Sequence, residues 1–409
     1  MRSLMRLLLL GVGVLLGVGL AMAQPRPPVT IDFSDETRLR LEAERDRSHW
    51  VRASDIDKDG DLDLIVGNRP GDSPLIKVLI NDGQGRFKDD AGRRLPALPS
   101  EIAFSAELGD IDNDGDHDIV LAMGSATGGA PDRILINTGV GLYQDETTTR
   151  FQGTVIINRS FSNKLCDIDG DGDLDLLVGT VQGDPARLWL NQGRGIFVEE
   201  GGSRLSPGSF SVASIDCADV DGDRDFDFVL GTGDPVQGGI NQVNRLLINT
   251  RGFFTDETAY RVSFEQGTNT LAIKYLDVDG DNDLDVFACN DPGRAVLWIN
   301  NGRGFYTDRT AEQLPFGAFG CRDFDFADYD SDNDLDLVIV RPQQSSIVVQ
   351  QPNLLLINDG RGFFTAIELP VEGGNQGGNA ILFKDLNGDK KPDIYIAREG
   401  QDVLLINKR

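Results

Sequence analysis

Apolar residues in this chain come in short runs rich in β-branched side chains, each cut off by polar or glycine positions. Seven such runs, "LIVGN", "IVLAMG", "LLVGT", "FVLGT", "VFACN", "LVIVR" and "IYIAR", recur at similar intervals, and each follows a strongly acidic nonapeptide. Runs of this length and composition predict strands. A second recurring segment, "VLIN", "ILIN", "LWLN", "LLIN" or "LWIN", predicts another strand, and the Asn-x-Gly that usually follows it predicts a tight hairpin. An aromatic stretch such as "GFFTDET" adds a further strand, and a run such as "FSAELGD" leads into the next acidic segment. The repeating unit is therefore four strands, as a propeller blade requires.

The nonapeptides begin at Asp55, Asp110, Asp167, Asp219, Asp277, Asp328 and Asp385, a period of 51 to 58 residues. Repeats of that length suggest propeller blades or a stacked array. An open array needs capping repeats at both ends, and none is visible. Instead the last copy stops at "LLINKR", while "VTIDFSDETRL" at residues 29–39 matches the aromatic strand of a complete unit. The expectation is an all-β, seven-bladed propeller over residues 24–409, its last blade completed by the N-terminal strand.

The nonapeptides carry the candidate chemistry. "DIDKDGDLD" places oxygen ligands at positions 1, 3, 5 and 9 in Asp55, Asp57, Asp59 and Asp63. The same positions are Asp110, Asp112, Asp114 and Asp118 in the second copy, and Asp167, Asp169, Asp171 and Asp175 in the third. Next come Asp219, Asp221, Asp223 and Asp227, then Asp277, Asp279, Asp281 and Asp285. The last two sets are Asp328, Asp330, Asp332 and Asp336, and Asp385, Asn387, Asp389 and Asp393. Oxygen donors at alternate positions of a tight loop, with a main-chain carbonyl at position 7, suit a hard cation of six to eight ligands, calcium before magnesium. Up to seven Ca2+ ions would offset the repulsion among the aspartates. An EF-hand begins similarly but needs a glutamate at position 12, where this chain has Val66, Leu121, Val178, Leu230, Ala288, Ile339 and Ile396. Position 6 calls for a left-handed backbone, which Gly60, Gly115 and Gly172 adopt freely and Asn282 and Asn333 tolerate. Arg224 and Lys390 suit it less, so the fourth and seventh sites fit the pattern least well.

These loops resemble the calcium-loop repeats of the FG-GAP/VCBS family, which includes the propellers of integrin α-subunits and many exported bacterial proteins. The resemblance spans residues 29–409. The integrin-style Gly-Ala-Pro after the strand is replaced by "VGN", "VGT" and "LGT", which favours the bacterial branch. The resemblance implies a calcium-stabilised propeller used for adhesion, ligand binding or scaffolding.

Composition narrows the function. The formal net charge is −27, and 33 of the 66 acids lie in the nonapeptides, so nucleic acid is not an expected partner. Residues 1–23 read as a signal peptide: Arg2 and Arg6, an apolar core from Leu7 to Leu20, and Ala21-Met22-Ala23 before the cut. An uncleaved anchor is the alternative. The expectation is a secreted or periplasmic protein with no membrane span after cleavage, and a monomer. Cys166, Cys217, Cys289 and Cys321 allow two disulfides, Cys166 with Cys217 and Cys289 with Cys321, or are small buried residues. With only His49 and His117, an enzyme of serine–histidine or zinc–histidine type has little to work with. Carboxylate-only glycosidase chemistry stays open. Trp189 and Trp298 lie in strands rather than on exposed loops, unlike the aromatic platforms of many lectins. The expected activity is an interaction or adhesion module, with a lectin or a polysaccharide-degrading enzyme as alternatives. Its protein or glycan ligand is expected on the face opposite the acidic loops, where the second loops of blades two (from Met123), four (from Gly231) and six (from Val340) are long.

Overall fold

The computed structural model describes residues 30–43, 45–69, 75–98, 101–125, 128–153, 156–206, 208, 210–234, 242–263, 267–315, 320–342, 351–371 and 377–409. The leader expected at residues 1–23 lies outside them, as do parts of the long second loops of blades two, four and six. No helix among the described residues is long and apolar enough to cross a membrane.

The strands form seven antiparallel sheets, and each acidic loop joins the first strand of a sheet to its second. In blade one these are Ser48–Ser54, Asp63–Asn68, Ile76–Asn81 and Phe87–Asp89, in that spatial order. The first strands of the other blades are Ile102–Gly109, Ser160–Cys166, Val212–Ala218, Thr270–Leu276, Asp323–Ala327 and Ala380–Lys384. Blade two carries one addition, the two-residue strand Gly128–Gly129 paired with Asp118–Ser125. Every residue of Asp63–Asn68, Asp175–Thr180, Asp227–Thr232 and Asp285–Asn290 is buried. A strand covered on both faces gains from a continuous apolar run, which is why "LIVGN" and its copies do not alternate.

The aromatic strand is shorter than the sequence implies. In "FFTDETAYR" it ends at Asp256, and Thr258–Arg261 forms one helical turn. Asp256 Oδ1 accepts the backbone N–H of Thr258 at 3.1 Å, an Asx turn that stops the ladder. Thr258 Oγ1 then accepts the N–H of Leu246 in the third strand at 2.9 Å. The same turn follows the outer strand at Thr37–Arg40, Ala91–Arg94, Thr147–Arg150, Gly201–Arg204 and Thr310–Gln313.

The core lies between blades rather than within one. Trp50, Ile65 and Val78 of blade one pack with Ala103, Ile119 and Leu135 of blade two. Leu64 and Leu79 of blade one pack with Leu382, Tyr395 and Leu404 of blade seven, so the two ends of the chain share a core. The N-terminal strand Phe33–Asp35 pairs with Val403–Asn407 and completes blade seven as expected. Thr37 Oγ1 accepts the N–H of Leu404 at 3.0 Å, and the Phe33 ring stacks on Tyr329 at 5.1 Å. Of the two readings left open for the cysteines, the structure has the disulfides. Cys166–Cys217 ties blade three to blade four, and Cys289–Cys321 ties blade five to blade six.

The first strands line a central cavity of about 550 Å³. Three residues before each acidic loop stand Arg52, Glu107, Lys164, Asp216, Lys274 and Asp325, alternating in sign from blade to blade. Arg52 pairs with Glu107 at 3.4 Å, Lys164 with Asp216 at 2.8 Å and Lys274 with Asp325 at 3.3 Å. The same register position in blade seven is Leu382. An odd ring cannot alternate throughout, and the neutral residue stands between Asp325 and Arg52, where a charge of either sign would repeat that of one neighbour.

Closure makes a direct prediction. Deleting residues 24–41 removes the fourth strand of blade seven and bares the edge of Val403–Asn407 to other chains. The truncated protein is expected to be insoluble, or to melt about 5 °C or more lower, as the loss of about 4 kcal/mol gives in a chain of this size. A truncated chain with the midpoint of the full one would refute closure by the N-terminal strand.

Candidate metal centres

The acidic loops owe their common shape to main-chain hydrogen bonds. In all seven, the carboxylate at position 1 accepts the N–H of position 6 at 2.7–3.1 Å. The backbone is left-handed at position 6 in every copy: Gly60 (φ 98°), Gly115, Gly172, Arg224 (φ 77°), Asn282, Asn333 and Lys390 (φ 68°). Arg224 and Lys390 thus take the conformation that the sequence suited less well. Position 4 is also left-handed throughout, in Lys58, Asn113, Gly170, Gly222, Gly280, Ser331 and Gly388. Four glycines at that position were the signal for it.

The position-9 carboxylates anchor the loops. Asp63, Asp118, Asp175, Asp227, Asp285, Asp336 and Asp393 each open a second strand and are fully buried. One oxygen accepts the N–H of position 2 at 2.8–3.2 Å. The other accepts the N–H of the asparagine that ends the third strand (next to last in blade four), at 2.7–2.9 Å. Burial pushes all seven carboxyls up to about 7. In Asp63, Asp118, Asp175, Asp227 and Asp285 the carboxylates of positions 3 and 5 add to the rise, against the pull of the two N–H donors.

Positions 1, 3 and 9 converge. Asp55, Asp57 and Asp63 bring ligand atoms within 4.8 Å of one another, as do Asp110, Asp112 and Asp118, and Asp167, Asp169 and Asp175. Asp219, Asp221 and Asp227 do the same, as do Asp277, Asp279 and Asp285, and a further such group is present among the described residues. These clusters could hold metal ions. The position-5 residues, Asp59, Asp114, Asp171, Asp223, Asp281, Asp332 and Asp389, lie outside the named triads, and each accepts the N–H of position 7. In blades five and six position 5 approaches position 3, and burial and this neighbouring carboxylate raise the pKa of Asp279 and Asp330.

Position 3 provides the test of fit. Asp57 Oδ2 meets Arg94 at 2.8 Å, Asp112 Oδ2 meets Arg150 at 2.9 Å, and Asp221 Oδ2 meets Arg261 at 3.1 Å. The other oxygen of each, Oδ1, is buried without a hydrogen-bond partner, as is that of Asp279 and of Asp330. A buried, unsatisfied carboxylate oxygen costs about 1–3 kcal/mol or more, since it has lost water and gained nothing. An oxygen-seeking cation between positions 1, 3 and 9 removes that cost, so the residues fit such an ion.

Two cross-links between blades were not read from the sequence. The hairpin asparagines Asn81, Asn137, Asn191, Asn249, Asn300 and Asn358 donate from Nδ2 to the position-2 carbonyl of the preceding blade's loop, at 2.7–3.0 Å. Their presence in every "LIN" segment was legible, but it was explained by the turn alone. The arginine that ends the helical turn reaches the next blade's hairpin, as Arg94 does to the Val140 carbonyl at 2.9 Å and Arg261 to the Arg303 carbonyl at 2.8 Å. It recurs thirteen residues after the asparagine in blades one to three and twelve in blade four, and Gln313 stands in its place in blade five, which blurs the pattern in sequence.

Three stretches, residues 55–121, 167–230 and 277–339, match the family model described as an FG-GAP-like repeat. Each stretch spans two acidic loops, so six of the seven loops are included. The sequence matches no curated protein. Among solved structures, the chain is similar to an Agrocybe aegerita lectin described by its specific recognition of non-reducing terminal N-acetylglucosamine. That likeness has a TM-score of 0.52 at 18% identity, over 79% of this chain and 80% of that one. It is also similar to BBS1N, solved in complex with ARL6DN, with a TM-score of 0.55 at 11% identity, over 92% of this chain and 96% of that one. Likenesses at this identity speak for the fold. With seven equivalent blades and the three repeat matches, they lead to one assignment: the chain is a seven-bladed β-propeller in which residues 55–121, 167–230 and 277–339 match the FG-GAP-like repeat.

Proposed function

We propose that this protein is an exported, calcium-stabilised propeller that works as a non-catalytic interaction or adhesion module. One observation carries the reading: equivalent oxygen-rich clusters recur from blade to blade, each beside a seam between blades. A catalytic metal is usually single and open to a cavity, whereas repeated equivalent sites serve the scaffold. Positions 1, 3 and 9 would supply the carboxylates for each ion, and position 5 and the position-7 carbonyl would complete the set. Two disulfides between blades agree with an oxidising compartment. The partner, a protein or a glycan, would meet the face opposite the acidic loops, through the long second loops of blades two, four and six. The lectin likeness is a reason to include glycans in the search and no more than that.

Calcium is expected to raise the melting temperature strongly. At ten times the dissociation constant each site adds about 1.4 kcal/mol, so several together rival the stability of a domain. A midpoint that is the same in calcium and in chelator would refute the metal reading.

The position-9 carboxyls give this effect a pH dependence. Their folded pKa of about 7 exceeds the usual carboxylate value, so between about pH 4 and pH 7 the folded, metal-free chain binds more protons than the unfolded one. Stability of the metal-free chain is therefore fully present at low pH and declines as pH rises through 7. A bound cation needs the ionised carboxylate and reverses the trend. Melts at about pH 5 and about pH 7.5 should show a small calcium increment at the lower pH and a large one at the higher. An increment independent of pH would count against the position-9 residues as ligands.

The partner face is tested by replacing the second loops of blades two, four and six with the short loop of blade three. Binding in a glycan array or a pull-down from the native envelope or medium should vanish while the calcium-dependent melt persists. Binding that survives all three grafts would move the partner site to another surface.

A further inference from the structure

The central cavity has a second ring of residues, six positions before each acidic loop and so near its other mouth. In blades one to five this position is the extra residue of a β-bulge in the first strand. Bulges re-aim a side chain, and here the re-aimed residues line the cavity. Blades one, two and three contribute His49, Phe104 and Phe161, a contiguous aromatic shelf. The two phenylalanine rings stack at 5.0 Å, and the His49 ring meets both edge-on, at 6.2 and 6.5 Å. Around the ring, blade six presents Arg322 at the same level.

Arg322 and Lys384 are the two cavity cations that no carboxylate among the described residues meets within ion-pair distance, and Asp291 and Glu399 act on Arg322 only from farther off. Arg52, Lys164 and Lys274 have their carboxylates in the belt below. Asp323, beside Arg322, spends both oxygens on the main-chain N–H groups of Phe324 and Ile381, at 2.9 and 3.1 Å. Among the described residues, no carboxylate lies within ion-pair distance of the Arg322 guanidinium. Burial lowers its pKa, and its charge is close enough to the shelf to help burial hold His49 neutral, at about 3. In a chain of net charge −27, the cavity is lined by five Lys and Arg against four carboxylates.

We infer that this mouth of the channel binds a small organic carboxylate bearing a ring, the carboxylate on Arg322 and a face of the ring against Phe104 and Phe161. Arginine offers a carboxylate two parallel N–H donors, and a stacked aromatic shelf offers a ring apolar contact without excluding hydroxyls. A cavity of about 550 Å³ accommodates a molecule of that size. Two sources share this chemistry, sugar acids and aryl acids.

The test uses the full mature chain with calcium present and four probes: D-galacturonate beside D-galactose, and 4-hydroxybenzoate beside 4-hydroxybenzyl alcohol. Saturation-transfer NMR and calorimetry should show at least one acid bound about tenfold tighter than its neutral mate, the preference one charge-assisted contact supplies. Which acid binds identifies the source. Arg322→Gln should erase the preference and keep the melting midpoint within a few degrees, because the guanidinium has no close ion pair among the described residues to lose. Phe104→Ala should weaken an acid and its neutral mate alike. Failure of both acids to outbind their neutral mates would overturn the inference, as would an Arg322→Gln chain that keeps the preference. If that variant does not fold, the wild-type acid-to-neutral ratio, and its loss at high salt, decides.

Discussion

Everything in this molecule hangs on a buried carboxylate that is shared between a loop and a hairpin. The position-9 aspartate takes one N–H from its own acidic loop and one from the asparagine that ends the third strand. That asparagine then reaches into the loop of the preceding blade. One side-chain pair thus fixes loop shape, hairpin position and blade spacing together. Removing either partner would leave a buried polar group unmatched, which costs more than the bond itself contributes. The seam is polar at this face and apolar beneath it, where leucines and isoleucines of adjacent blades interlock.

This arrangement accounts for the density of aspartate. Position 1 shapes the loop, position 9 anchors it, and position 3 holds one oxygen against an arginine and leaves the other facing its neighbours. Each carboxylate has a separate mechanical duty before any ion is considered. A cation bound there would allow the three to stay charged at short range.

The repeat, the number of blades and their closure were legible because hydrophobic runs and acidic loops keep a common beat, and because "VTIDFSDETRL" copies a strand missing at the other end. The convergence of positions 1, 3 and 9 was legible from spacing. Position 5, expected as a ligand, has a second duty that spacing does not reveal: Asp59 accepts the N–H of Asp61 in its own loop. The contacts across seams were hidden because pairs such as Asn137 and Ile56 are 81 residues apart and nothing local marks them. The cavity rings escaped for a related reason. Arg52, Glu107 and Lys164 look like unrelated surface charges until the blades set them on one level. The helical turn at Thr258 was read as strand because "DET" continues an aromatic strand, and only the Asx turn at Asp256 ends it.

The belt of alternating charge also bears on how such a ring can change its number of blades. Duplicating any single blade between the first and the sixth would set two like charges side by side in the channel, whereas duplicating an adjacent pair would not. Duplicating blade seven escapes the constraint, since it sets only a second neutral residue beside Leu382. That is also the blade in which the first and last strands of the chain meet. The ring has one place where a lone repeat can be gained without a penalty inside the channel, and it coincides with the ends of the chain.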